Sequence, residues 1–181
     1  MKHGMFRYRF RAFRQILTIL AAVLAMGALG QCCIGQAQAQ TQTAPPLSLG
    51  QVLYLPIYSH MYYGDNDKDG KPMQALLSAH VSIRNTDPNM AVKLLYARYY
   101  NTEGKLVREY LPAAPMLIPP LGTHELFVPR SDTSGGSGAN FMIAWSAEAP
   151  ANPPLVEALH SNVQPARTVT FQTTARPINS R

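Results

Sequence analysis

The chain has 181 residues, 46% hydrophobic and 14% charged, with 16 Lys+Arg against 10 Asp+Glu and a formal net charge of +6. At roughly 150 residues per domain this length leaves no room for two large domains, and folding buries roughly two-thirds of the surface, so neither a disulfide nor a metal is needed to hold a core. With 12 Gly and 15 Pro and ordinary apolar content, collagen-like, coiled-coil and disordered classes are excluded.

The charge is unevenly placed. Lys2, Arg7, Arg9, Arg11 and Arg14 precede an apolar run over residues 16–30, and no acid occurs before Asp65. A cationic stretch, a short apolar helix and then small and polar residues is the order of a secretory signal. The 15-residue run is short for a bilayer span, which needs about 20 residues. Small side chains at Ala37 and Ala39 suit a signal-peptidase site, so residues 1–39 are expected to be a Sec-type signal directing the chain to the periplasm or beyond. The alternative is membrane anchoring, through an uncleaved signal or a lipidated Cys32. The lipobox is imperfect, with Gln31 where a small residue belongs. Cleavage after Ala39 removes Cys32 and Cys33, leaving a cysteine-free chain with 11 cations against 10 acids, a net charge of +1. That balance offers no phosphate-tracking patch, so nucleic acid is not an expected partner.

Residues 40–49, rich in Gln, Thr, Ala and Pro, read as a flexible linker. The domain is expected over residues 50–178, as strands separated by turns. Residues 52–58 form a first strand, with Pro56 arguing for an edge or a bulge. Residues 74–85 alternate, with Ala75, Leu77, Ala79, Val81 and Ile83 on one face, as a half-buried antiparallel strand does. Asn85, Asp87 and Pro88 make a turn. Strands over 92–100 and 106–111 flank a hairpin loop containing Gly104. Residues 112–120, with four prolines, read as an extended connection. Further strands are expected over 123–128, around Phe141, Ile143 and Trp145, over 155–163 and over 169–176. About 7–8 short strands with frequent turns predict an immunoglobulin-like antiparallel β-sandwich; a small β-barrel is the alternative.

Four segments carry a family resemblance: residues 58–64, 82–88, 104–111 and 131–141, the last containing Asp132-Thr133-Ser134-Gly135-Gly136-Ser137-Gly138-Ala139-Asn140-Phe141. In these the chain resembles the domain-of-unknown-function 3124 family of bacterial exported proteins, over about residues 49–160. The resemblance implies a periplasmic or surface location and brings no catalytic residues.

Two loops hold candidate chemistry. Residues 65–70 repeat D-x-D-x-D-G, the opening of a calcium loop, with Asp65, Asp67 and Asp69 as ligands. Leu76 stands at the twelfth position in place of the bidentate Glu, so a solvated turn accounts for the acids more simply, and no cofactor is expected beyond this weak calcium site. Residues 131–140 are the first choice for a binding loop: Asp132, Thr133, Ser134, Ser137 and Asn140 surround glycines whose N–H groups can face an anion. The spacing matches neither a P-loop nor a nucleophile elbow. His60, His80, His124 and His160 lack the short spacing of a helical metal motif, and the scattered methionines suit core filling better than copper handling. The abundant tyrosines suit a recognition surface or cross-strand packing. The expectation is a non-catalytic envelope module that binds a protein or envelope ligand. The alternative is a small periplasmic hydrolase or metal-dependent protein built on one of the two loops; a hydrolase requires a histidine within hydrogen-bond reach of Ser137 or Asp132.

Overall fold

The computed structural model describes residues 44–113 and 115–179. The expected signal over residues 1–39, with Ala37, Ala39 and Cys32, lies outside these residues. The described residues form twelve strands: β1 (Ser48–Ile57), β2 (His60–Asn66), β3 (Pro72–Leu76), β4 (Ser78–Arg84), β5 (Val92–Tyr100), β6 (Leu106–Glu109), β7 (Met116–Ile118), β8 (Thr123–Val128), β9 (Ala139–Ala151), β10 (Leu155–Gln164), β11 (Arg167–Thr174) and β12 (Arg176–Ile178). Strand β1 therefore starts inside the stretch expected to be linker.

One sheet runs β12-β1-β9-β5-β6, with β7 pairing β5 beside β6; the second runs β11-β10-β4-β8; β2 and β3 form a separate hairpin. The pairings are antiparallel. Each sheet keeps its own edges, so the domain is a β-sandwich and not a closed barrel.

Alternation explains the core. Leu53, Leu55 and Ile57 of β1, Ala97 and Tyr99 of β5, and Phe141, Ile143 and Trp145 of β9 face Ala79, Val81 and Ile83 of β4, Leu126 and Val128 of β8, and Val156 and Ala158 of β10. Phe141 lies opposite Leu55 on one side and Tyr99 on the other, which joins three strands in one apolar row. Each such large side chain contributes roughly 2 kcal/mol through removal from water.

The alternating run over residues 74–85 is two strands rather than one. β3 pairs with β2, whereas β4 pairs with β8 and β10. The break falls at Leu77, whose N–H donates to the Ser59 carbonyl at 2.8 Å while its side chain stays buried. The two-residue period passes through this break in phase, so alternation alone hides the change of partner. The last expected strand is likewise divided: β11 lies in the second sheet and β12 in the first, with Ala175 N–H bonded to the Val156 carbonyl between them. The proline-rich connection contains the short strand β7, anchored by buried Ile118. Pro56 fits its expected place, because β12 pairs only with Val52–Tyr54 and leaves β1 with one neighbour there.

The turn after β4 clamps three segments. Asn85 Nδ2 donates to the carbonyls of Met90 at 2.8 Å and Pro119 at 3.0 Å. Asp87 Oδ1 accepts the N–H groups of Asn89 and Met90, and Oδ2 accepts that of Asn152. Those backbone donors, Asn152 first, hold the Asp87 carboxyl below the usual carboxylate range.

Candidate functional site

The glycine loop between β8 and β9 is held from two sides. Thr102, in the β5–β6 turn, donates its N–H to the Gly135 carbonyl at 2.9 Å. Its Oγ1 donates to the same carbonyl and accepts the Gly138 N–H, each at 3.1 Å. Ser59 N–H donates to the Gly136 carbonyl at 3.0 Å, and Ser59 Oγ lies 3.0 Å from Tyr99 Oη in the interior. A Cβ on Gly135 would stand 1.9 Å from Tyr99 Oη. Gly136 adopts φ +78°, and a Cβ there would meet Thr102 Oγ1 at 2.5 Å. These two glycines let the backbone pass against Tyr99 and Thr102.

The predicted binding residues are placed as follows. Asp132 Oδ1 accepts both the N–H and the hydroxyl of Ser134. Asp132 Oδ2 is buried 3.6 Å from Arg108 Nη2. Thr133 and Ser134 are exposed, and Ser137 is half-buried. Asn140 sits on β9 opposite Pro56 and Tyr100. The carboxylate and the Ser134 hydroxyl thus serve each other, and the Gly138 N–H is already taken by Thr102.

The histidines hold other posts. His160 is wholly buried, stacked on Phe171 with centroids 4.6 Å apart, and its Nε2 accepts the Tyr58 N–H at 3.1 Å. Burial pushes its pKa down to about 4, against a smaller raising effect of the Ala158 backbone, so the ring is neutral near pH 7. His80 lies 3.3 Å from Glu125. His60 packs edge-on to Tyr62. Burial also lowers the His124 pKa. Among the described residues no histidine is hydrogen-bonded to Ser137 or Asp132.

A concave surface lies elsewhere. A cleft of about 310 Å³ opens between the β2–β3 hairpin and the β10–β11 end of the second sheet, lined among others by Tyr63, Gln74, Arg130, Asn162, Gln164 and Arg167. Asn162 Nδ2 donates to the Leu76 carbonyl at 2.6 Å and so ties the hairpin to the sheet. The Arg167 guanidinium lies 4.5 Å from the centroid of the Tyr63 ring. Arg130 also lines an adjoining hollow with Ser78, Phe127 and Ser161. Among the described residues neither arginine forms an ion pair, whereas Lys93, Arg98 and Arg108 each do.

The family model of proteins of unknown function, DUF3124, matches residues 50–178. The chain belongs to the DUF3124 family. No curated protein matches it. A solved structure described as "Crystal Structure of Thermotoga maritima 1070" is similar with 12% identity and a TM-score of 0.38, over 70% of this chain and 92% of that chain.

In this DUF3124 domain the acidic loop over residues 65–70 closes the β2–β3 hairpin. Asp67 Oδ1 accepts the N–H groups of Asp69 and Lys71, each at 2.9 Å, and Gly70 takes φ +75°. Among the described residues no group of three or more His, Cys, Asp or Glu side chains is placed to hold a metal ion. Asp67 therefore has a structural task in the turn. Excess calcium is expected to leave the thermal midpoint unchanged; a clear rise would restore Asp65, Asp67 and Asp69 as ligands, since a ligand of the native state must stabilise it.

The Arg130 and Arg167 cleft was not legible from the sequence. Arg130 directly precedes the glycine loop and carries no motif, and Arg167 lies in a turn-rich stretch. Their common feature is a shared cavity, which depends on strand order.

Proposed function

We propose that this DUF3124 protein is an exported, non-catalytic binding module of the bacterial envelope, and that the Arg130 and Arg167 cleft receives its ligand. The observation that carries the reading is the contrast between the two surfaces. In the glycine loop, Asp132 and Ser134 are engaged with each other and the backbone is bonded to Thr102 and Ser59. The cleft is lined by Arg130 and Arg167, neither of which has a protein counter-charge among the described residues. A concave site with a few convergent polar groups is the usual form of a ligand site. The cationic start and apolar run of residues 1–30 support export.

The test is crosslinking and affinity capture from intact envelopes, with the wild-type chain and an Arg130→Ala/Arg167→Ala variant, beside a panel of hydrolase substrates. A specific partner captured by the wild type and lost with the variant supports the module. Turnover abolished by Ser137→Ala would replace it with the hydrolase reading. Fractionation that leaves the full-length chain in the cytoplasm would overturn the location.

A further inference from the structure

We infer that the cleft binds a phosphate monoester group, a deepening that rests on the binding-module reading above. Three observations converge on this chemistry. First, Arg130 enters from the segment after β8 and Arg167 from the start of β11, and both line the one cavity. Guanidinium groups present planar forks of N–H donors that match phosphate oxygens in pairs. Second, their combined charge of about +2 matches a phosphate monoester, which carries roughly −1.5 to −2 at pH 7. A lone carboxylate supplies half of that.

Third, the remaining lining carries no charge, and beside the apolar Ala75, Leu76 and Val169 it offers neutral polar groups. Gln74 and Gln164 present amides, and Asn162 spends only its Nδ2 on Leu76, so its Oδ1 has no protein donor among the described residues. These groups suit the hydroxyls of a small polar body attached to the phosphate. The cavity of about 310 Å³ is at the small end of ligand sites, which span roughly 300–1,000 Å³. The Tyr63 ring beside Arg167 holds that guanidinium by cation–π attraction and limits its freedom before binding. The phosphate can belong to a soluble ester or to a lipid headgroup, since the recognising chemistry is the same.

Calorimetric titration of the purified domain with inorganic phosphate, glycerol phosphate and acetate, at constant ionic strength, tests the inference, with vesicles of phosphatidic acid against phosphatidylcholine as a second arm. Phosphate or glycerol phosphate is expected to bind at least about tenfold more tightly than acetate, and Arg130→Ala and Arg167→Ala are each expected to weaken binding about tenfold or more. Arg98→Ala, outside the cleft, is expected to change nothing. Arg167→Lys is expected to recover part of the loss, because it restores charge without the fork. Binding to phosphatidic acid vesicles alone assigns the source to a headgroup and supports the inference. No binding in either arm, equal affinity for acetate, or binding indifferent to both arginine substitutions would overturn it. Envelope capture that still depends on Arg130 and Arg167 after such a result would leave the module standing with a different ligand.

Discussion

Gly135→Ala is expected to cost about 3 kcal/mol or more, the largest loss among the described glycines. The added Cβ would fall 1.9 Å from Tyr99 Oη, 2.6 Å from Tyr99 Cζ and 2.8 Å from the Ala139 Cβ. None of these is a flexible side-chain end. Tyr99 is fully buried, held by Ser59 Oγ and packed against Phe141 and Tyr110 with ring centroids 5.0 and 6.2 Å away. Burial also raises the Tyr99 pKa, Ser59 opposing, so its hydroxyl is protonated and un-ionised in the native state. Relief requires moving either the ring or the loop, and the loop is tied to Thr102 and Ser59. Urea unfolding of the variant checks the magnitude. Tyr99→Phe placed beside Gly135→Ala removes the closest contact, so the double variant is expected to be more stable than the sum of the two single losses predicts. Strict additivity would refute the clash, and so would a Gly135→Ala protein as stable as wild type.

Acid is expected to remove about 3 kcal/mol of stability between pH 6.5 and pH 4 through His160 alone. Its folded pKa lies near 4 against an ordinary value of 6.5, with burial as the main cause. The neutral ring is the native form, bonded to Tyr58 N–H and stacked on Phe171. The unfolded chain takes up its proton first as pH falls, so the stabilisation is complete above 6.5 and is lost progressively toward 4. His124, also lowered by burial, adds in the same direction. Asp87 acts at more acid pH, because its folded value is depressed below the ordinary 3.8. Denaturation midpoints at several pH values report the slope. His160→Gln keeps an acceptor for Tyr58 N–H and removes the titration. It is expected to be less stable near pH 7 yet to lose distinctly less on acidification. A His160→Gln protein with the wild-type acid slope would assign the effect to other groups.

Both predictions concern residues whose types were visible in the sequence and whose tasks were not. Glycines 135 and 136 suggested an anion cradle, because exposed N–H groups in a flexible loop have that chemistry. In the fold, Gly135 is where the chain must pass an aromatic ring. His160 offered itself as a scattered histidine, and strand β10 turns it inward into the core. The loop is the longest motif of the family resemblance, and its backbone is held by Thr102 and Ser59, far away in the chain.

Local periodicity by itself determined much of this protein. Alternation marked β4 and β9 and their inward residues, turn signals bounded further strands, the Asn85 and Asp87 turn was explicit, and together they specified an antiparallel sandwich. The cationic stretch and apolar run specified an expected route of export. The tertiary structure alone decided who pairs with whom: the division at Leu77, the passage of β11 and β12 into different sheets, and the meeting of Arg130 with Arg167. The physical reason is that a two-residue period reports which face of a strand is apolar. It carries no information about the neighbouring strand, and a cleft is built entirely from neighbours.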